Sequence, residues 1–243
     1  MHSLRLAALN IDGVLLNDTF SPVIHHFVVS RGGTYSAELE RSIFSQPQHI
    51  AGRLLAAAVG GGMTGEEALA AYFAERAAHL ERRPVALTPG ARDLLLRLRA
   101  AGLRTVCYGG LGKDHFDRHL GHWADLFDGP GYVCTNDIRP GLREITQDVF
   151  SLRPDQALFV DDVARVADAA RTLGCAFVGH PSPFVHSHQR TLMREAGVRH
   201  LIDGLDALDE GLLHRIDQQM ATGTFWDSAP TAAAAAAGQE RNA

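Results

Sequence analysis

Short apolar runs alternate along the chain with stretches whose apolar residues recur at helical spacing. The runs predict strands over Leu4–Leu9, Thr105–Tyr108, Tyr132–Cys134, Ala157–Val160, Cys175–Val178 and His200–Ile202. The periodic stretches predict helices over Pro89–Ala101, Lys113–Leu120, Leu142–Phe150, Ala164–Leu173 and Ser187–Ala196. Strands alternating with helices imply βαβ units and a mostly parallel sheet, an α/β fold. Gly102, Gly121 and Gly174 fall where helix C-caps are wanted.

One region breaks the alternation. Residues 21–83 contain no convincing strand and predict helices over Pro22–Ser30, Ser36–Gln46, His49–Val59 and Thr64–Arg82. Thr64 and Glu67, three apart at the start of the last helix, form a capping box, and Gly60-Gly61-Gly62 breaks the chain before it. The expected division is an α/β core of residues 1–20 and 84–226 with a helical insert of 21–83. Residues 227–243 are alanine-rich and low in complexity, and read as a disordered tail.

The chain has 243 residues, 46% of them hydrophobic and 21% charged, which suits a folded globular protein. The net charge of −5 argues against a protein built on phosphate contacts to nucleic acid. No stretch reaches the length of a membrane helix, and residues 1–5 lack the features of a signal peptide. Cys107, Cys134 and Cys175 are odd in number, widely spaced and without a CxxC pair, so a reducing cytoplasm is expected. Lys113 is the only lysine against many arginines.

In an open parallel sheet, ligands bind at the carboxyl ends of the strands. The residues after the first strand are Asn10-Ile11-Asp12-Gly13-Val14-Leu15. Gly109-Gly110, Asn136-Asp137-Ile138-Arg139-Pro140 and Asp161-Asp162 follow the next three. Three carboxylates, an arginine and a glycine-rich turn converging on one point suit a Mg²⁺–phosphate site. Hard oxygens hold the ion and a cation clamps the phosphoryl oxygens.

The string LAALNIDGVLL resembles motif I of the haloacid dehalogenase-like (HAD) superfamily, hhhhDxDGTL. IRPGLREITQDVFSLRPDQALFVDDVARVADAARTLG resembles its motifs III and IV, and PGARDLLLRLRAAGLRTVCYGG the approach to motif II. The helical insert lies between motifs I and II, the family's type-1 cap position. The resemblance covers about residues 4–205. It implies a Rossmann-like sheet under a mobile cap and phosphoryl transfer through an aspartyl-phosphate. A second aspartate would be the acid/base, a Ser/Thr and a Lys the phosphate holders, and the motif IV acids Mg²⁺ ligands.

Three positions depart from that pattern. Asn10 stands at the nucleophile position, and an amide is a poor nucleophile that brings no charge to Mg²⁺. Gly109, with no hydroxyl, stands at the Ser/Thr position, leaving only backbone N–H groups there, with Gly110 beside it. Arg139 stands at the lysine position and clamps phosphate differently. Lys113, just after motif II, is a candidate to reach the same phosphate. Asp12 is the expected acid/base, and Asp12, Asp161 and Asp162 are the expected metal ligands, with Mg²⁺ binding weakened by Asn10. The bland alternative for Asp161-Asp162 is helix capping.

Three functions stay open. The first is a HAD-like hydrolase with impaired or altered chemistry acting on a small phosphorylated molecule. The second is a non-catalytic accessory or regulatory protein that binds a partner protein. The third is a Mg²⁺-dependent phosphatase in which Asn10 is an engineered change. No nucleic acid or membrane partner is expected. His115, His119 and His122 have a spacing that suits a metal but read more simply as a solvated face. His25-His26, in the insert, are weaker candidates to face a substrate.

Overall fold

The structure is a computed structural model that describes residues 1–226, so the tail expected over 227–243 lies outside the described residues. Five parallel strands form one sheet: β1 (Leu6–Asn10), β2 (Arg104–Gly109), β3 (Tyr132–Cys134), β4 (Ala157–Asp161) and β5 (Ala176–Gly179). Their order is β3-β2-β1-β4-β5. Between β1 and β2 run α1 (Ser21–Ser30), α2 (Ala37–Ile43), α3 (Gln48–Val59) and α4 (Gly65–Arg82). Helix α5 (Ala91–Ala100) follows them before β2, and the rest of the chain supplies α6 (Lys113–Leu120), α7 (Ala164–Leu173), α8 (Gln189–Glu195) and α9 (Glu210–Thr222).

The apolar runs are strands because both faces of the sheet are covered. Central β1 is buried along its whole length. Leu6 and Ala8 join Val106, Phe159 and Phe177 on one face, under α7 and α8. Ala7 and Leu9 join Cys107, Leu158 and Val160 on the other, under α5, α6 and α9. Ala8 lies opposite Val106 of β2 and Phe159 of β4. The chain leaves β1 for strands on both of its sides, so the carboxyl end of β1 is the switch point where a crevice forms.

Thr64 caps α4 as its sequence predicts. Its hydroxyl accepts from the Glu67 N–H at 3.2 Å, and the Glu67 carboxylate accepts from the Thr64 N–H at 2.8 Å. The two connections between the inserted helices and the sheet lie side by side, Leu16 pairing antiparallel with Leu87. Fully buried Glu40 on α2 holds the insert to the loop before α8. Its carboxylate accepts from Tyr35 Oη at 2.9 Å, Ser187 Oγ at 3.0 Å and the His188 N–H at 2.8 Å.

Three expectations need correction, and one helix has no counterpart among them. The strand expected over His200–Ile202 is only a bridge of Leu201 to Gly179, because Gly197 turns the chain before it and a 3₁₀ turn over Leu205–Ala207 follows it. The helix expected over Leu142–Phe150 is present but wound as a π-helix over Glu144–Val149, in which the Phe150 N–H reaches Ile145 O. Gly121 has a right-handed φ of −57°, and the helix runs on into a 3₁₀ turn, Gly121–Leu126. Helix α9 was not expected. Asp209 caps it by accepting from the Leu212 N–H at 2.7 Å, and Leu213 and Ile216 face the sheet.

Helix α9 also anchors the start of the chain. Buried Asp217 accepts from the backbone N–H groups of His2, Ser3 and Leu4 at 2.6–2.9 Å. Burial pushes this carboxyl up, but the three donors outweigh it and hold it below its ordinary value. A depressed folded value stabilises above the ordinary carboxylate range and is lost as pH falls through it. Asp217→Ala is therefore expected to cost about 2 kcal/mol at neutral pH, because three N–H groups lose their acceptor. Urea unfolding should show the gap to the unmodified protein narrowing below about pH 4.

Candidate functional site

The polar residues that follow the strands meet at the switch point. A cavity of about 130 Å³ opens there, lined on its floor by Asn10, Asp12, Gly110, Arg139, Asp161 and Asp162. The inserted helices form its roof. The first residue of α3 is tied down across it: the Gln48 N–H donates to Asn136 Oδ1 at 3.0 Å, and Gln48 Nε2 to Gly110 O at 3.3 Å.

Asn10, 8% exposed, is held by two bonds from one nitrogen. Its Nδ2 donates to Asp12 O at 2.8 Å and to Asp162 Oδ1 at 2.9 Å. A peptide carbonyl accepts only, so the amide orientation is fixed by its surroundings. Gly13 lets this turn close. Its φ is +86°, and a Cβ there would lie 2.2 Å from Asp162 Oδ2.

The two acids at the end of β4 are buried and differ in their partners. Asp161 accepts from Tyr108 Oη at 2.5 Å and from the Val163 N–H at 2.8 Å. Burial still pushes its carboxyl up to about 6, opposed by those two donors and by the charge of Arg139. Asp162 is pushed well up by burial and by the charges of Asp161 and Asp18, with Asn10 pulling the other way. Two buried neighbouring carboxyls of this kind resist carrying two charges at once.

Asp12 pairs with His115 of α6, whose Nε2 lies 3.0 Å from Asp12 Oδ1. Both side chains are close to fully buried. Asp18, also on the cavity, caps the start of α1 by accepting from the N–H groups of Phe20 and Ser21, and it takes the Ser182 hydroxyl. Arg139 is different: among the described residues its guanidinium has no carboxylate partner, and its buried Nε has no hydrogen-bond partner. Gly110 gives it room, since a Cβ there would lie 2.3 Å from Arg139 Nη2.

The structure thus brings Asn10, Asp12, Gly110, Arg139, Asp161 and Asp162 together. Gly109 lies at the same strand end but behind the cavity lining. A Cβ at Gly109 would come within 2.5 Å of Ile11 Cγ2 and 3.1 Å of Tyr132 Oη, so no hydroxyl-bearing side chain fits. Lys113 does not reach the site. Its Nζ pairs with Asp117 at 2.5 Å, one helical turn on, and the side chain is 61% exposed.

The histidine row divides. His115 turns to Asp12, His119 packs edge-on against it, and His122 packs on Trp123. Among the described residues, no three His, Cys, Asp or Glu side chains are grouped so as to hold a metal. His25 faces away from the cavity and stacks on His186, with ring centroids 4.2 Å apart. His115 corrects the solvated face expected of this row, since it is 7% exposed and turned to Asp12, and Tyr108 is a site residue that the sequence alone left unassigned. Tyr108 stands one place before the strand-end glycine, which is the signal that was available.

No family model and no curated protein matches the chain. Solved structures do. A phosphonoacetaldehyde hydrolase-like protein from Oleispira antarctica aligns with a TM-score of 0.66 at 13% identity, over 91% of this chain and 95% of that one. A β-phosphoglucomutase from Clostridium difficile aligns at 0.64 and 12%, over 90% and 99%. A conserved haloacid dehalogenase-like protein of unknown function from Agrobacterium tumefaciens aligns at 0.61 and 18%, over 88% and 99%. Identities this low carry the fold. No helix of the described residues is long and apolar enough to cross a membrane.

Proposed function

From the haloacid dehalogenase-like fold of this chain as premise, we propose that the protein binds a small phosphorylated molecule in the cavity and is impaired in transferring its phosphoryl group. One observation carries the reading: Asn10 Nδ2 donates to both Asp12 O and Asp162 Oδ1. The residue at the nucleophile position is an amide, a weak nucleophile, and its nitrogen is engaged on the acid that would otherwise oppose a carboxylate.

The same bonds bear on Mg²⁺. Asp12 O and Asp162 Oδ1 are hard oxygens of the kind that hold this ion. Here an N–H₂ donor lies against both, and a cation would have to displace it. Asp161 already accepts from two donors. As it stands, this donor set does not fit Mg²⁺, and no step is assigned to the ion.

The other roles follow from position and charge. Arg139 is the cation with open donors, and an Arg–phosphate contact is charge-assisted and directional. Asp12, oriented by His115, is placed to move a proton at the cavity edge. Residues 1–20 and 84–226 act as the core and residues 21–83 as a cap that encloses the ligand, in a reducing cytoplasm. Calorimetry with inorganic phosphate tests the reading. Arg139→Ala is expected to weaken binding tenfold or more, on the order of 1.5–3 kcal/mol for a hydrogen bond to a charged group. Equal affinity in the two proteins would overturn it.

A further inference from the structure

The roof of the cavity is mostly apolar, with Ser45, Gln46 and Gln48 as its polar members. Ile24, Phe44, Leu55, Leu69, Tyr72 and Phe73 line it from α1, α3, α4 and the end of α2. The floor carries the charge, and its carboxylates are occupied: Asp12 by His115, Asp18 by two N–H groups and a hydroxyl, Asp161 by Tyr108 and Val163, and Asp162 by Asn10. Arg139 is left with open donors. Two further polar atoms on the lining have no partner among the described residues. They are Tyr72 Oη, on a residue 3% exposed, and Ser45 Oγ, on a residue 9% exposed. Buried polar atoms are rarely left unpaired unless an occupant completes them.

We propose that the ligand is a small amphipathic oxyanion: a phosphate or carboxylate group at Arg139 carrying an apolar, ring-sized body under the roof, in preference to a sugar or polyol phosphate. The proposal rests on the phosphate-binding reading above and narrows it. The predominance of apolar side chains on the roof supports it. Chemistry supports it too. A polyol body would bury several hydroxyls under a roof whose unpaired buried polar atoms among the described residues are Tyr72 Oη and Ser45 Oγ, too few to pair them all, whereas an aryl or branched-alkyl body gains from leaving water.

Calorimetric titration with phenyl phosphate, glycerol 3-phosphate, inorganic phosphate and benzylamine tests it. Phenyl phosphate is expected to bind at least about tenfold more tightly than glycerol 3-phosphate or inorganic phosphate, the scale set by burying a ring-sized apolar body. Phe73→Gln, at a half-buried roof position, should erase that preference while leaving inorganic phosphate affinity within about twofold. Persistence of the preference in Phe73→Gln would overturn the assignment to the roof. Glycerol 3-phosphate binding as tightly as phenyl phosphate would overturn the apolar body and leave the phosphate reading standing. Benzylamine binding more tightly than phenyl phosphate, or no binding of any of the three phosphates, would overturn both.

Discussion

Replacing Asn10 by Asp is expected to lower the melting temperature by about 10 °C in metal-free buffer, and millimolar Mg²⁺ is expected to restore most of the loss. The substitution removes both bonds from Nδ2 and sets a carboxylate against Asp162 Oδ1, 2.9 Å from the present nitrogen. Losing two buried hydrogen bonds and opposing two buried charges costs about 3 kcal/mol, and each kcal/mol is about 2–4 °C in a domain of this size. The sign with pH follows from the pair. Two facing carboxyls share a proton, so their folded values are raised. The cost is therefore small in acid and grows as pH rises through those values. The unmodified protein should show no shift with Mg²⁺, because an amide nitrogen stands against the oxygens that would ligate the ion. Thermal melts of both proteins with Mg²⁺ and with chelator check this. Equal Mg²⁺ shifts in the two would contradict it.

Glu40→Ala is expected to cost about 3–4 kcal/mol, among the largest single losses in the molecule. Glu40 is 0% exposed, and its carboxylate completes three donors from two parts of the chain: Tyr35 Oη, Ser187 Oγ and the His188 N–H. Burial and the charge of Glu40 both push the Tyr35 phenol up, so it keeps its proton and stays a donor. Alanine leaves all three donors buried and unpaired. Glu40→Gln keeps an acceptor oxygen and should lose about half as much. Urea unfolding gives both values. A loss below about 1 kcal/mol for alanine would mean that the loop before α8 re-pairs with water at little cost.

Local signals made much of the fold legible. Lys113–Leu120, Ala164–Leu173 and Tyr132–Cys134 have the bounds that their periodicity predicts, and the Thr64 capping box closes as its spacing requires. Strand-end chemistry located the floor of the cavity, because parallel-sheet geometry leaves those residues nowhere else to point. What local signals could not supply was pairing across the chain. Asn10 meets Asp162 from 152 residues away, and Asp12 meets His115 from 103. Lys113 looked like a phosphate ligand because only its place after β2 was visible, whereas its helix turns it toward Asp117. Helix α9 was legible in retrospect from the Asp209 cap and the spacing of Leu213 and Ile216. It lies C-terminal to the segment of about residues 4–205 that resembles the family.

On the function proposed above, an amide engaged on its neighbours is the main cause of silence in a phosphoryl-transfer site that also lacks a hydroxyl at Gly109. Phosphate release from small phosphate esters with Mg²⁺, in the unmodified protein and in Asn10→Asp, tests it most directly. Loss of a covalent nucleophile typically costs about 10⁴–10⁶ in rate, and the missing hydroxyl at Gly109 keeps the restored site short of that range. The expected result is release at least about a hundredfold faster from Asn10→Asp than from the unmodified protein. Release from the unmodified protein that equals or exceeds the variant's, and is abolished by Asp12→Ala, would contradict the claim.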